Sequence, residues 1–354
     1  MISQWDSATR RRPAVGVRPL TNEELASQML SSTFWILGCG VLAATLLPLT
    51  NSVRWWVRMW DFPRLHIAVV ALILIVLAIL TPFAFRLPFL ALMGAASVYQ
   101  AMQIFPYTPW AQSEVVLSSP PDPGHAVTML AVNVLMENTR HTDLINIIDR
   151  EDPDVLLLME TDEIWANALH PVLKRYPTLK SHISDDHYGL IFATRLAVDQ
   201  VELMWPAEDE TPAVKAVLRA PNDPVFNFIG LHPRPPVPGN DTQTRDKQIK
   251  RAALMTASSD LPTVCMGDFN DVAWSWTTKR FKRYGGFLEP RVGRGMISSF
   301  HADYPFMRLP IDQLFLTEDV GLISFSRLEA FGSDHFPMKA RVFFKESGAA
   351  DHGH

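Results

Sequence analysis

Asp268 and Asn270 stand two apart in the stretch Pro262-Thr263-Val264-Cys265-Met266-Gly267-Asp268-Phe269-Asn270. Thr263 to Met266 reads as a short buried strand, and Gly267 frees the backbone after it. Side chains two apart on an extended chain lie on one side. A carboxylate and an amide therefore point together off the end of a buried strand. Such a carboxylate can orient and deprotonate a water while the amide holds the attacked group. Gly-Asp-x-Asn is also ordinary turn chemistry, so its weight depends on what other strands carry at their ends.

They carry more of the same. Asn133 interrupts the apolar strand Met129-Leu130-Ala131-Val132-Asn133-Val134, and Glu160 closes Asp154-Val155-Leu156-Leu157-Leu158-Met159-Glu160. A carboxylate closing a buried strand is costly unless it is paired or bound to a metal. His232 ends Phe226-Asn227-Phe228-Ile229-Gly230-Leu231-His232, Asp312 sits in Pro310-Ile311-Asp312-Gln313-Leu314-Phe315, and Ser333-Asp334-His335 precedes the final strand. Singly, each has a plain reading as a bulge or a hydrogen-bonded core residue. As a set they are hard to explain that way.

The elements that must position them begin at Val127. Strands are expected at Val127–Val134, Asp154–Met159, Tyr188–Ala193, Val214–Leu218, Val225–Leu231, Thr263–Met266, Ile311–Leu316 and Met338–Phe344. Helical spacing covers His141–Arg150, Thr242–Ser258 and a basic segment near Trp274–Arg283. Many strands with few helices between them predict an α+β sandwich of two packed sheets with helices outside.

The chain has 354 residues, of which 48% are hydrophobic. The apolar excess lies before about residue 106, in the runs Phe34–Leu49, Leu65–Phe85 and Leu87–Phe105. A membrane-spanning helix needs ~20 mostly apolar residues, so three transmembrane helices and a bilayer partner are expected. The division is then a disordered polar tail at 1–32, the helices within 33–105, a stiff proline-rich linker at 106–126, a catalytic domain at 127–346 and a tail at 347–354. The tail and the Thr81–Arg86 connection carry five Arg against three in Asn51–Arg64. That bias puts the tail inside and the catalytic domain outside the cytoplasm, in the periplasm of a bacterial cell. The two cysteines, Cys39 and Cys265, lie in apolar settings and say nothing about compartment. From Ala111 onward lie 24 of the 32 Lys and Arg and 33 of the 37 Asp and Glu. An acidic domain is no general binder of polyanions.

The order Asn133, Glu160, His232, Gly267-Asp268-Phe269-Asn270, Ile311-Asp312, Ser333-Asp334-His335 resembles the endonuclease/exonuclease/phosphatase superfamily from about Val127 to Phe344. Pancreatic-type deoxyribonucleases, abasic-site endonucleases, sphingomyelinases and inositol polyphosphate 5-phosphatases belong to it. The membrane-anchored arrangement also resembles bacterial members with N-terminal helices. The resemblance implies a four-layer α/β/β/α sandwich and a divalent metal, Mg²⁺ with Mn²⁺ as the alternative. It implies that Glu160 ligates the metal with Asn133 and Asp334 beside it, that Asp268 activates the water and that Asn270 holds the phosphate. Asp312 would fix the imidazole of His335, which contacts the phosphate, and His232 would protonate the leaving oxygen. The chain departs from the family at Met159-Glu160, where Gln-Glu is commoner. A catalytically inactive binding module is disfavoured, because no expected position is lost.

The substrate is expected to be a phosphodiester of a nucleic acid, and the alternative is a phosphodiesterase or phosphatase acting on a phospholipid or sphingolipid headgroup. Arg280 and Arg283 follow the Asp268 strand, in a region that lies along the nucleic-acid backbone in nuclease members. That favours a nuclease slightly. Arg234, in His232-Pro233-Arg234-Pro235-Pro236, could reach a second phosphate. No protein partner is inferable, and no stretch reads as an exposed apolar hairpin that would grip a bilayer.

Overall fold

The computed structural model describes residues 21–344 apart from 208–210, 222 and 240; the expected tail segments before residue 21 and after 344 lie outside the described residues. Helix α1 (Asn22–Leu46) begins within the stretch that reads as a disordered tail. The reason is a capping box. The Thr21 hydroxyl accepts from the Glu24 amide at 3.2 Å, and the Glu24 carboxylate accepts from the Thr21 amide at 2.8 Å. The short α2 (Trp55–Arg58) leads into α3 (Arg64–Leu80), and α4 (Arg86–Ile104) follows. Helix α3 stops at Leu80 rather than continuing to Phe85, because Pro82 disfavours helical backbone at Thr81. Phe34 and Val41 of α1, Ala71 and Leu74 of α3 and Phe89 and Met93 of α4 form the core of this bundle. Outward from it Ile36, Leu72, Ile73, Val76 and Leu80 are exposed. Two helical segments, Asn22–Thr50 and Arg86–Tyr107, are long and apolar enough to cross a membrane. Trp55–Asp61 with Arg64–Leu80 would make a third, bent by 72°.

The rest forms two sheets. Strands β1 (Val127–Asn133), β2 (Val155–Met159), β3 (Thr178–His182), β4 (Leu190–Thr194), β10 (Val320–Arg327) and β11 (Met338–Phe344) build the first, in the order β10-β11-β1-β2-β4-β3. Strands β5 (Ala197–Met204), β6 (Ala213–Arg219), β7 (Val225–Leu231), β8 (Thr263–Asp268) and β9 (Asp312–Leu316) build the second, in sequence order. Alternation along β1 shows the layering. Met129 and Ala131 meet Leu157, Phe228 and Met266 between the sheets. Leu130 and Val132 face α5 (His141–Glu151) and α6 (Glu163–Leu173) through Ile147 and Trp165. On the far side Cys265 and Phe315 meet Ile249 of α7 (Gln243–Ala257) and Phe281 of α8 (Trp276–Gly285). This is the four-layer α/β/β/α sandwich. The strands that pattern alone does not reveal, β3, β5 and β10, are at sheet edges; β3 is largely exposed, and β5 packs on the core only through the partly buried Val198, Val201 and Leu203.

The helical bundle is joined to the sandwich by more than chain connectivity. The Trp274 indole N–H donates to the Asp61 carbonyl at 2.7 Å, and the Tyr107 hydroxyl donates to the Ala273 carbonyl at 2.8 Å. Residues 106–126 therefore do not form a free extended linker over their whole length. Tyr107 and Val115 are buried, and the Ser118 amide donates to the Leu322 carbonyl at 2.9 Å. The connector between α1 and α3 and the segment after α4 lie on the same sandwich, hence at one end of the bundle.

Candidate active site

Asn133, Glu160, His232 and Asp268 stand at or just past the ends of β1, β2, β7 and β8, Asp312 opens β9, and Asp334 and His335 lie in the segment before β11. Gly267 has φ 142°, and a Cβ there would lie 2.1 Å from the Leu231 carbonyl of the adjacent β7. Only glycine lets the two strands stay that close. The chain then turns, with Asn270 in the left-handed region at φ 48° and its amide donating to Asp268 Oδ1 at 2.8 Å. Asp268 faces Asp312 directly across the β8–β9 ladder. Glu160 is also left-handed, at φ 62°, one residue beyond β2. These residues surround a cavity of about 520 Å³ lined by Glu160, His232, Asp268, Asn270, Asp334 and His335 among others.

His335 stands between two carboxylates. Its Nδ1 is 2.7 Å from Asp312 Oδ2 and its Nε2 is 3.6 Å from Asp268 Oδ2. Burial works against the charged imidazole, but Asp312 and Asp268 outweigh it and raise the His335 pKa. Burial would raise Asp312 too, yet the His335 charge and hydrogen bond hold it low. Asp268 goes the other way: burial raises it, and His335 offsets only part of that. Burial likewise raises Asp334, against the opposing charge of His335, with nearby Glu160 adding to the rise. Burial lowers His232, whose Nε2 lies 3.9 Å from Glu160 and 3.8 Å from Asp268 and whose Nδ1 is buried without a partner.

Asn133 holds the two halves of the site together. Its Nδ2 donates to Glu160 Oε1 at 2.7 Å and to Asp268 Oδ2 at 3.2 Å, while its Oδ1 accepts from the Leu135 amide at 3.1 Å. The amide nitrogen of Asn133 thus faces Glu160 and Asp268, and its oxygen faces the chain after β1. Among the described residues one group has the spacing of a metal site: Asp268, Asp312 and His335 offer ligand atoms all within 4.8 Å of one another. Their mutual hydrogen bond engages Asp312 and His335, which leaves the carboxylates of Glu160, Asp334 and Asp268 facing the cavity. An oxygen-rich, anionic donor set of this kind fits a hard divalent cation.

The basic residues are placed differently. Arg234 lies over the Tyr188 ring at 5.0 Å. Arg280 stacks on Trp276 at 4.2 Å and Arg283 lies over Tyr284 at 5.5 Å. Neither Arg280 nor Arg283 lines the cavity. Trp276, Arg280 and Tyr284 are spaced four apart on α8, so the helix presents rings to its own guanidinium.

Several site residues escape a reading of the sequence. His187 bridges Glu160 and Glu137, 3.3 Å from each. Ser333 is part of the Ser333-Asp334-His335 motif, but its contacts are not legible there: its hydroxyl donates to the Asn133 carbonyl at 2.8 Å and accepts from the His335 amide at 3.0 Å. Ser299 accepts from the Asp312 amide at 2.9 Å. Met59 and Phe62, from the connector between α1 and α3, form part of the cavity wall. Only the polar run Asp185-Asp186-His187 before β4 gives a hint in the sequence.

A model of the endonuclease/exonuclease/phosphatase family matches residues 130–335. No curated protein matches the chain. Among solved structures, D. rerio TDP2 complexed with a single-strand DNA product is 16% identical, with a TM-score of 0.52 over 61% of this chain and 98% of that one. A family protein from Bacteroides thetaiotaomicron is 15% identical, with a TM-score of 0.52 over 62% and 98% of the two chains. The human Nocturnin catalytic domain with a bound sulfate anion is 15% identical, with a TM-score of 0.50 over 62% and 95%. At these identities the likeness is one of fold. The match to the family model covers more than half of the chain, and the chain belongs to the endonuclease/exonuclease/phosphatase family.

Proposed function

We propose that the chain is a divalent-metal-dependent phosphodiesterase held at a membrane by its N-terminal helices. One observation carries this reading: His335, clasped by Asp312 at 2.7 Å, faces Asp268 at 3.6 Å in the cavity that Glu160 and Asp334 also line. Water is the nucleophile. Asp268, whose proton affinity burial raises, takes its proton as oxygen bonds to phosphorus. The P–O ester bond breaks, and His232, in the charged form that Glu160 favours against burial, gives its proton to the leaving oxygen. Asp312 fixes the tautomer of His335, which donates Nε2–H to a phosphate oxygen, and Asn270 holds that group from the other side. Glu160 and Asp334 would hold Mg²⁺ or Mn²⁺, with Asn133 orienting Glu160. When bound, the cation neutralises phosphate charge.

The apolar helices support the anchor, and the Arg bias supports a tail-in, sandwich-out topology, hence a multi-pass protein with a periplasmic domain. The basic residues that favour a nucleic acid in the sequence are engaged on α8, outside the cavity. The reading therefore extends to phosphodiesters in general, not to a nuclease. Its test uses the full chain in detergent with bis-p-nitrophenyl phosphate. Mg²⁺ or Mn²⁺ should support release of p-nitrophenol, EDTA should stop it, and Asp268→Asn should lower turnover ~10²–10⁴-fold. No release with either ion sinks the proposal.

A further inference from the structure

Three hollows share wall residues, from the candidate active site to the faces of α3 and α4. The catalytic cavity takes part of its wall from Met59 and Phe62, in the connector between α1 and α3. Phe62 also lines a second hollow of about 440 Å³, walled by Leu65, Val69 and Val70 of α3 and by Met296 and Leu309 of the sandwich. Leu65 in turn lines a third, of about 620 Å³, with Val98, Met102 and Phe105 of the α4 segment. The second hollow also has His66 and Arg308 in its wall: the His66 ring bonds to the Phe306 carbonyl, and Arg308 lies 5.4 Å from the Phe336 ring centroid with its Nε buried and without a hydrogen-bond partner. Beside it, Tyr304, Phe306 and Met307 of the sandwich are exposed by 50%, 69% and 43%. Aromatic and apolar residues so placed next to the start of an apolar helix suit the interfacial zone of a bilayer. The second and third hollows are walled mostly by apolar side chains, where an apolar chain could leave water, and Arg308 is the one guanidinium among their described lining residues, too little for a polynucleotide track.

We propose that the substrate is a lipid phosphodiester resident in the membrane. Its phosphate enters the catalytic cavity, and its apolar chain passes Phe62 into the hollow against α3 and on toward the α3–α4 face. The inference rests on the phosphodiesterase reading above and adds no co-reactant. Water bonds to phosphorus, the ester P–O bond breaks, and the leaving oxygen receives the proton. Phe62 and Met59 thereby become determinants of specificity contributed by the membrane-anchoring part of the chain.

The test is a pair of esters with the same scissile bond, p-nitrophenyl ethyl phosphate and p-nitrophenyl dodecyl phosphate, given to the full chain in non-ionic detergent. Each methylene that leaves water strengthens binding about fourfold, so the dodecyl ester should be favoured in kcat/KM by about tenfold or more. Partition into micelles also favours that ester, and variants separate the two causes. Val69→Trp, which fills the hollow, should lower the dodecyl-to-ethyl ratio by about tenfold; Val70→Trp is a second filling variant should the first not accumulate. Val76→Trp, further along α3 and outside all three hollows, should keep the ratio. Equal kcat/KM for the two esters, or a ratio that filling variants and Val76→Trp change alike, overturns the lipid assignment and leaves the phosphodiesterase reading standing. So does faster cleavage of a single-stranded DNA oligonucleotide than of the dodecyl ester. Turnover of none of the three overturns the phosphodiesterase reading itself, and this inference with it.

Discussion

Arg58 Nη2 lies 3.7 Å from Asp271 Oδ2, and both side chains are about 1% exposed. One belongs to the connector between two apolar helices; the other directly follows Asn270. Asp61 lies 3.2 Å from Arg58, and Arg64 lies 2.5 Å from Asp61 and donates to Gln100 at 3.3 Å. Gln100 donates to Thr45 inside the bundle at 3.0 Å. On the other side Arg245 lies 3.2 Å from Asp271 and donates to the Asn270 carbonyl at 3.0 Å. Polar contacts thus run unbroken from the bundle interior to the candidate site.

Arg58→Met removes one buried charge from this series. Breaking a buried pair should cost ~3 kcal/mol, the low end of the usual range because Arg245 remains beside Asp271. Thermal unfolding of the full chain in detergent should show a lower midpoint. An unchanged midpoint would mean that the series contributes nothing.

The segment after α4 should stabilise the sandwich. Tyr107 is buried, and its hydroxyl bonds to Ala273 and, at 3.2 Å, to Glu289. We propose that the sandwich folds alone from about residue 124, but less stably than with this segment. A fragment spanning 105–346 should melt higher than one spanning 124–346, by scanning calorimetry. Equal midpoints would count against the packing described here.

Glu289 gives the stability a pH dependence. Burial raises its pKa, against the opposing charges of Lys282 and Arg291. The folded chain therefore binds this proton more tightly than the unfolded chain. That contribution is fully present below the ordinary value of 4.5 and is lost as pH rises through the folded pKa. Glu289→Gln should gain on the wild type as pH rises from about 4 to about 8. Denaturant titrations at both ends decide it, and a gain in the opposite direction would falsify the assignment.

Catalytic variants should divide by role. Glu160→Gln should be rescued in part by excess Mg²⁺, and Asp268→Asn should not. His335→Ala and Asp312→Ala should each lower turnover, and the double variant should lose less than the product of the two, because the pair acts as one unit. His232→Ala should hurt alkyl leaving groups more than p-nitrophenol, which hardly needs a proton. Kinetics on one preparation with metal titrated for each variant tests all of these. Near-full activity of Asp268→Asn and His335→Ala would move the site elsewhere.

Topology is read by reporters fused after His354. Alkaline phosphatase should be active there and green fluorescent protein dark. Bright fluorescence reverses the orientation.

The sequence by itself determined the sandwich and the ends of its central strands. The apolar runs of β1, β2, β7 and β8 are continuous because both faces of each strand are buried, and the polar residues Asn133, Glu160, His232 and Asp268 mark where those runs end at the site. It also determined three apolar runs, since a bundle with apolar residues on its outer face leaves few polar interruptions. Tertiary structure decided the rest. Edge strands β3, β5 and β10 take their place from pairing, which their half-exposed sequences do not announce. Met59 and Phe62 reach the cavity through contacts between segments far apart in the chain, and no local pattern encodes such a meeting.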